Sequence, residues 1–257
     1  MSSSAARDLT LVLVPCFSGA AWSVQQQEAF STLPVRTFDL PEAVDNLEYY
    51  ADFVAAQVRD LERYVLVGDS FGAAVALTLA VRRPPQLCGL VLSGGFARDP
   101  LIGLIPKIGS YLAPLMPGPL YRQLTLRIHA LLLRSPHDTC AGAEVRWPMQ
   151  ASHQLFVHST SWASYLGRIK AVRDGDLRSR LGNIDVPTLV LSPSYDHLVG
   201  VGATLELRQN IVGAKHVVLA NTGHMFRFSH PRMYAASVID FLNRAGITGL
   251  RDDAEKL

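Results

Sequence analysis

The chain has 257 residues, 49% of them hydrophobic and 18% charged, with a mean hydropathy of +0.17 and a net charge of +2. That composition excludes intrinsic disorder, which needs low hydrophobicity and high charge. The balance of 24 Lys and Arg against 22 Asp and Glu lacks the basic excess of a nucleic-acid binder, so no nucleic-acid partner is expected.

The first predicted element is the apolar, β-branched run 9–14, a buried strand that stops at Pro15. A small-residue loop follows, Cys16-Phe17-Ser18-Gly19-Ala20. Residues 35–40 read as a shorter strand ended by Pro41, and 47–63 carry apolar residues at helical spacing. Residues 64–67 form the next strand, 71–83 an Ala-rich helix ended by Pro84-Pro85, and 90–92 the centre of a further strand. The pattern resumes at 188–191 (strand), 201–209 (helix), 216–219 (strand) and 232–244 (helix).

Alternating strands and helices imply an α/β fold, a mostly parallel, doubly covered sheet of about six core strands. The alternation fails between the strands near Leu92 and Leu189, where helical stretches and prolines dominate. Residues 1–96 and 185–257 are therefore expected to form the core, and 97–184 a helical cap or lid. The longest apolar stretch, 65–81, is broken by Gly68, Asp69, Ser70 and Gly72 and is too short to cross a bilayer, so no stable membrane insertion is expected. Three widely spaced cysteines (Cys16, Cys88, Cys140) and an N-terminus without an apolar leader core lead to the expectation of a reducing, cytoplasmic location.

The chemistry concentrates at Gly68-Asp69-Ser70-Phe71-Gly72, a G-x-S-x-G pattern between a buried strand and a helix. The pattern alone is common; the strand-turn-helix context makes it informative, because two glycines allow the close approach that projects a serine above a sheet. The bland alternative is an N-cap serine, which needs no flanking glycines. A serine hydroxyl requires a base and an orienting acid. In open α/β sheets these belong at the carboxyl ends of later strands. Asp196 follows the strand at 188–191 and His224 the strand at 216–219, giving the order Ser70, Asp196, His224. Asp99 is the second choice for the acid and His230 for the base. His129, His137, His153 and His158 are expected to be surface or lid residues. The Phe71 N–H, next to the nucleophile, and an N–H of the loop after the first strand, assigned to Phe17, are the expected oxyanion donors.

These residues, with Tyr195-Asp196-His197-Leu198-Val199 and Asn221-Thr222-Gly223-His224, resemble the α/β-hydrolase family in its lidded, single-domain esterase branch. The resemblance covers about residues 9–244 outside the lid. It implies a Ser70/His224/Asp196 triad and an acyl-enzyme. The sequence departs from the family after the first strand, where Pro15-Cys16 replaces the usual His-Gly. Serine at the elbow argues against the dehalogenases and epoxide hydrolases of this fold, which the resemblance implies use aspartate.

No G-x-G-x-x-G opens the first unit, and neither H-E-x-x-H nor a C-x-x-C pair exists, so no cofactor and no metal are expected. The proline-broken, apolar stretch 101–120 either packs on the core or lines a pocket. Cys16, Leu101, Ile105, Leu112 and Met116 are the candidate pocket residues, although a free cysteine more often packs as a small apolar group. Over 97–184 eleven Lys and Arg face five Asp and Glu, a solvated basic surface or an attractor of anions. The expected activity is hydrolysis of a small-molecule carboxylic ester with an apolar acyl or alcohol part. The alternatives are C–C bond hydrolysis, a lyase reaction or cofactor-free perhydrolysis on the same triad, and, in another class, a non-catalytic binding protein.

Overall fold

A computed structural model describes residues 9–101, 107–108, 111–112, 115–116 and 118–248. In chain order the core runs β1 (Leu9–Val14), α1 (Val24–Glu28), β2 (Val35–Thr37), α2 (Leu47–Gln57), β3 (Arg63–Asp69), α3 (Phe71–Ala80) and β4 (Leu87–Ser93). The chain between β4 and β5 carries α4 (Leu126–Leu132), α5 (Met149–Ser159) and α6 (Trp162–Asp174). It returns through β5 (Thr188–Tyr195), α7 (Gly200–Asn210), β6 (Lys215–Gly223), α8 (Phe226–Ser229) and α9 (Pro231–Arg244).

The six strands form one sheet in the order β2-β1-β3-β4-β5-β6, every neighbouring pair parallel. Period-two alternation divides the strand residues between two buried faces. Val12, Val14, Leu66, Leu90, Leu92 and Val190 pack with α2, α3 and Leu207 of α7. Leu11, Leu13, Val65, Val67, Val91 and Leu191 pack with Trp22, Phe30 and the α9 residues Tyr234, Val238 and Leu242. Both faces are covered, which is why the strands read as continuous apolar runs.

Several boundaries differ from the sequence expectation, for local reasons. α1 was not foreseen, although Ser23 and Gln26 form a capping box at its start. β2 stops at Thr37, and α2 ends at Gln57 because the chain enters β3 at Arg63. β5 and β6 extend into the polar, turn-rich residues Ser192-Pro193-Ser194 and Ala220-Asn221-Thr222, which apolar patterning alone reads as loop. No helix among the described residues is long and apolar enough to cross a membrane.

Candidate active site

β3 is flanked by β1 and β4, with Val14 opposite Gly68 and Asp69 opposite Ser93. Ser70 therefore emerges at the carboxyl edge, in the middle of the sheet. Its backbone adopts φ 54° and ψ −114°, a left-handed conformation rare for a residue with a side chain. The glycines make the turn possible. A Cβ on Gly68 would lie 2.4 Å from the Gly72 carbonyl oxygen, and one on Gly72 would lie 2.3 Å from the Pro15 oxygen. Although Ser70 precedes α3, its side chain makes no capping hydrogen bond, which separates it from an ordinary N-cap serine.

The Ser70 Oγ lies 3.0 Å from His224 Nε2, and His224 Nδ1 lies 2.7 Å from Asp196 Oδ2. Strand register explains the meeting: Tyr195 of β5 pairs with Gly223 of β6, so the residues that follow them stand side by side. The other Asp196 oxygen accepts the Leu198 and Val199 N–H groups at 2.9 and 3.0 Å, which fixes the plane of the carboxylate. Burial opposes ionisation of Asp196, but the charge of His224 and the hydrogen bonds outweigh it and hold the carboxyl below its ordinary value. Burial likewise opposes charge on His224. The attraction and hydrogen bond of Asp196, with the more distant Asp69 and Asp138, outweigh that effect and raise the imidazole. Neither Asp99 nor His230 joins this cluster: Asp99 accepts the Leu101 N–H, and the His230 ring pairs with Ser229 Oγ at 2.8 Å.

Neither the Phe71 nor the Phe17 N–H has an acceptor among the described residues. Above Ser70 and His224 opens a narrow cavity of about 70 Å³. Cys16 and Leu101 line it, together with Phe96, Leu133, Phe156 and Met225 among others. Leu112 is 52% exposed, and neither it nor Met116 is among the described residues lining the cavity, which corrects their assignment to the pocket. Their apolar character alone did not reveal which way they face. Ile105 lies outside the described residues.

The sequence profile of the alpha/beta hydrolase family matches residues 11–237. This chain belongs to the alpha/beta hydrolase family. It is similar to a protein of Variovorax paradoxus named as a carbamate hydrolase, RutD, at 26% identity over 82% of this chain and 79% of the relative. It is 29% identical to a pimeloyl-[acyl-carrier protein] methyl ester esterase of Neisseria meningitidis, over 82% of this chain and 84% of the relative. A 2-hydroxy-6-oxononadienedioate/2-hydroxy-6-oxononatrienedioate hydrolase of Cupriavidus pinatubonensis is 27% identical over 71% of this chain, which spans 63% of that relative. Among solved structures, a hydrolase from Pseudomonas aeruginosa superposes with a TM-score of 0.74 at 19% identity, over 91% of this chain and 90% of that one; this likeness concerns the fold.

Three further groups shape the site of this alpha/beta hydrolase, and the sequence reading assigns none of them to it. His129 of α4 lies in the 97–184 segment, where the sequence predicts a surface or lid residue without a part in the site. It instead lines the cavity, stacked on Phe17 at 4.9 Å and edge-on to Phe156, with Nδ1 3.3 Å from Tyr165 Oη. Burial, helped by the charge of His224, lowers it to about 4, so it is neutral near pH 7. Arg227 of α8 pairs with Asp69 at 2.8 Å, donates to Gln26 and Cys16, and lies over the Trp22 and Phe228 rings. Asp138 is buried, accepts from Ser229 at 2.7 Å, and is pushed above its ordinary value chiefly by burial. Among the described residues no group of three or more His, Cys, Asp and Glu is placed to hold a metal ion.

Proposed function

We propose that this chain is a serine hydrolase of uncharged carboxylic esters with an apolar acyl or alcohol part. The observation that supports this substrate class is the lining of the cavity at Ser70. Outside Cys16, Asp69, Ser70, His129 and His224 its described lining is apolar, and no Lys or Arg contributes to it. A substrate carboxylate in that cavity would lose hydration without gaining a cation.

In this reading Ser70 Oγ attacks the ester carbonyl carbon while its proton passes to His224 Nε2. Asp196 holds the imidazole through Nδ1–H and stabilises its charge. The carbonyl oxygen becomes the oxyanion and accepts the Phe17 and Phe71 N–H groups. The tetrahedral centre collapses, the bond to the alcohol oxygen breaks, and the imidazolium returns its proton to that oxygen. A water then gives a proton to His224 and attacks the acyl-enzyme; the acid departs and Ser70 regains its proton.

The test is a series of p-nitrophenyl esters from acetate to dodecanoate, with labelling by a fluorophosphonate. The reading expects turnover rising with acyl length before it falls, and labelling lost in Ser70→Ala. Absence of both turnover and labelling would overturn it. C–C bond hydrolysis is the second reading, motivated by the relative named for a dioate. It predicts cleavage of a 2-hydroxy-6-oxo dienoate faster than of any ester in the series.

A further inference from the structure

In the segment after β1 the carbonyls of Cys16, Phe17, Ser18 and Gly19 all accept hydrogen bonds. The Cys16 oxygen accepts the Gly19 N–H at 2.9 Å, and the Gly19 oxygen accepts the Leu40 N–H at 2.8 Å. The two carbonyls between them point to α6 and the residue before its cap. Arg168 Nη1 donates to the Phe17 oxygen at 2.8 Å and to the Ser18 oxygen at 2.9 Å, and Thr160 Oγ1 donates to the same Ser18 oxygen at 3.1 Å. Gly19, at φ +77°, leaves room for the guanidinium: a Cβ there would lie 2.2 Å from Arg168 Nη2. Helix α6 is itself fastened to the α2 side of the core. A Cβ on Gly167 would lie 2.2 Å from the Val44 oxygen, and Lys170 pairs with Asp45 at 2.8 Å.

Arg168 is also electrostatically unusual. Lys170, Arg173, Arg178 and Arg180 make surface ion pairs, whereas Arg168 is 1% exposed and has no carboxylate at ion-pair distance among the described residues. Its Nε has no partner among them either. A buried cation answered by carbonyl dipoles and the Tyr50 hydroxyl, with no carboxylate, is costly in the resting protein. The loop it holds is the one whose Phe17 N–H is left without an acceptor among the described residues.

We propose that Arg168 is a positioning residue for the oxyanion hole: it draws the Phe17 and Ser18 carbonyls toward α6 and keeps the Phe17 N–H available to the cavity. The inference rests on the serine-hydrolase reading above. It makes a competent oxyanion hole conditional on α6 being seated against the loop. It also gives the loop an anchor where Pro15-Cys16 replaces His-Gly, from a helix more than a hundred residues away in the chain.

The test compares Arg168→Ala, Arg168→Lys and the surface control Arg173→Ala with p-nitrophenyl butyrate. Arg168→Ala is expected to lose kcat on the order of a hundredfold, the scale of a lost oxyanion donor, with KM within about threefold. Binding of a trifluoromethyl ketone, which forms an oxyanion on Ser70, should weaken in parallel, and added guanidinium should restore part of kcat. Arg168→Lys, which keeps the charge without the fork, should fall between, and it carries the comparison if Arg168→Ala shows no cooperative melt. A kcat within about twofold of the parent, a loss confined to KM, or a loss that guanidinium does not touch would overturn the proposal. If the parent protein neither turns over esters nor takes up fluorophosphonate, the serine-hydrolase reading fails separately. The clamp is then judged by hydrogen exchange of the Phe17–Gly19 amides: about tenfold faster exchange in Arg168→Ala supports it, and unchanged exchange overturns it.

Discussion

The Asp69 carboxylate and the Arg227 guanidinium form an ion pair of 2.8 Å with both side chains almost wholly buried, one residue from Ser70. Arg227 reaches from α8 to the end of β3, to Gln26 of α1 and to Cys16 after β1, and so ties together the elements that frame the cavity.

Breaking such a pair from one side leaves an unanswered buried charge. Arg227→Met should lower the unfolding free energy by about 3–5 kcal/mol in a urea titration followed by circular dichroism. Adding Asp69→Asn removes the stranded charge, so the double variant should be more stable than Arg227→Met. Two strictly additive losses would contradict this account.

The pH profile follows from the Asp196–His224 pair. The imidazole accepts the Ser70 proton only when neutral, and its pKa is raised. Activity should therefore fall as pH drops through a midpoint above about 6.5, the ordinary histidine value, and be lost below it. Asp196→Asn removes the main opposing charge, so the acid limb should move to lower pH while kcat drops by several orders of magnitude. A limb at or below the ordinary value in the parent protein would refute the raised imidazole.

The choice between the two histidines near the end of the chain is decided by mutation. On the proposed mechanism, His224→Ala should cost about 10⁴-fold or more in kcat, the scale of a lost base in a serine triad. His230→Ala should leave kcat within a few-fold and lower the melting temperature, because His230 is buried against Ser229. The reverse pattern would transfer the base to His230.

His129 sits at about 4 and does not titrate in the working range. His129→Phe should leave the acid limb in place and change relative kcat/KM along the ester series, because it alters the one polar contribution of α4 to the cavity. A moved limb with an unchanged ester preference would mean that His129 acts by charge and not by shape.

The sheet and the approach of Ser70, Asp196 and His224 were legible because each depends on short-range signals. Apolar runs mark strands, paired glycines mark the turn, and ligand positions fall where strands end. Arg168, Arg227 and His129 were not legible for a common reason. Each is a polar side chain whose partners lie far off in the chain: Phe17 and Ser18 for Arg168, Asp69 for Arg227, Phe17 and Tyr165 for His129. Arg168 carried one faint sign. It falls on the same helical face as the buried Ser164, Tyr165 and Ala171, where an exposed arginine has no place.

The pairing of β5 with β6 carries a consequence for how this chain tolerates insertions and deletions. Pro193 lies opposite Leu219 and Tyr195 opposite Gly223, so β6 spends two more residues than β5 over the same stretch, with Asn221 at φ 57°. An uninterrupted ladder would set Asn221 beside Tyr195 and Thr222 where His224 stands. The irregularity absorbs the two extra residues and so keeps the imidazole in phase with the carboxylate. Removing Ala220 and Asn221 together would make the ladder regular and still set Gly223 opposite Tyr195, so His224 would keep its place beside Asp196, and residues added between α5 and α6 would likewise leave that phase untouched.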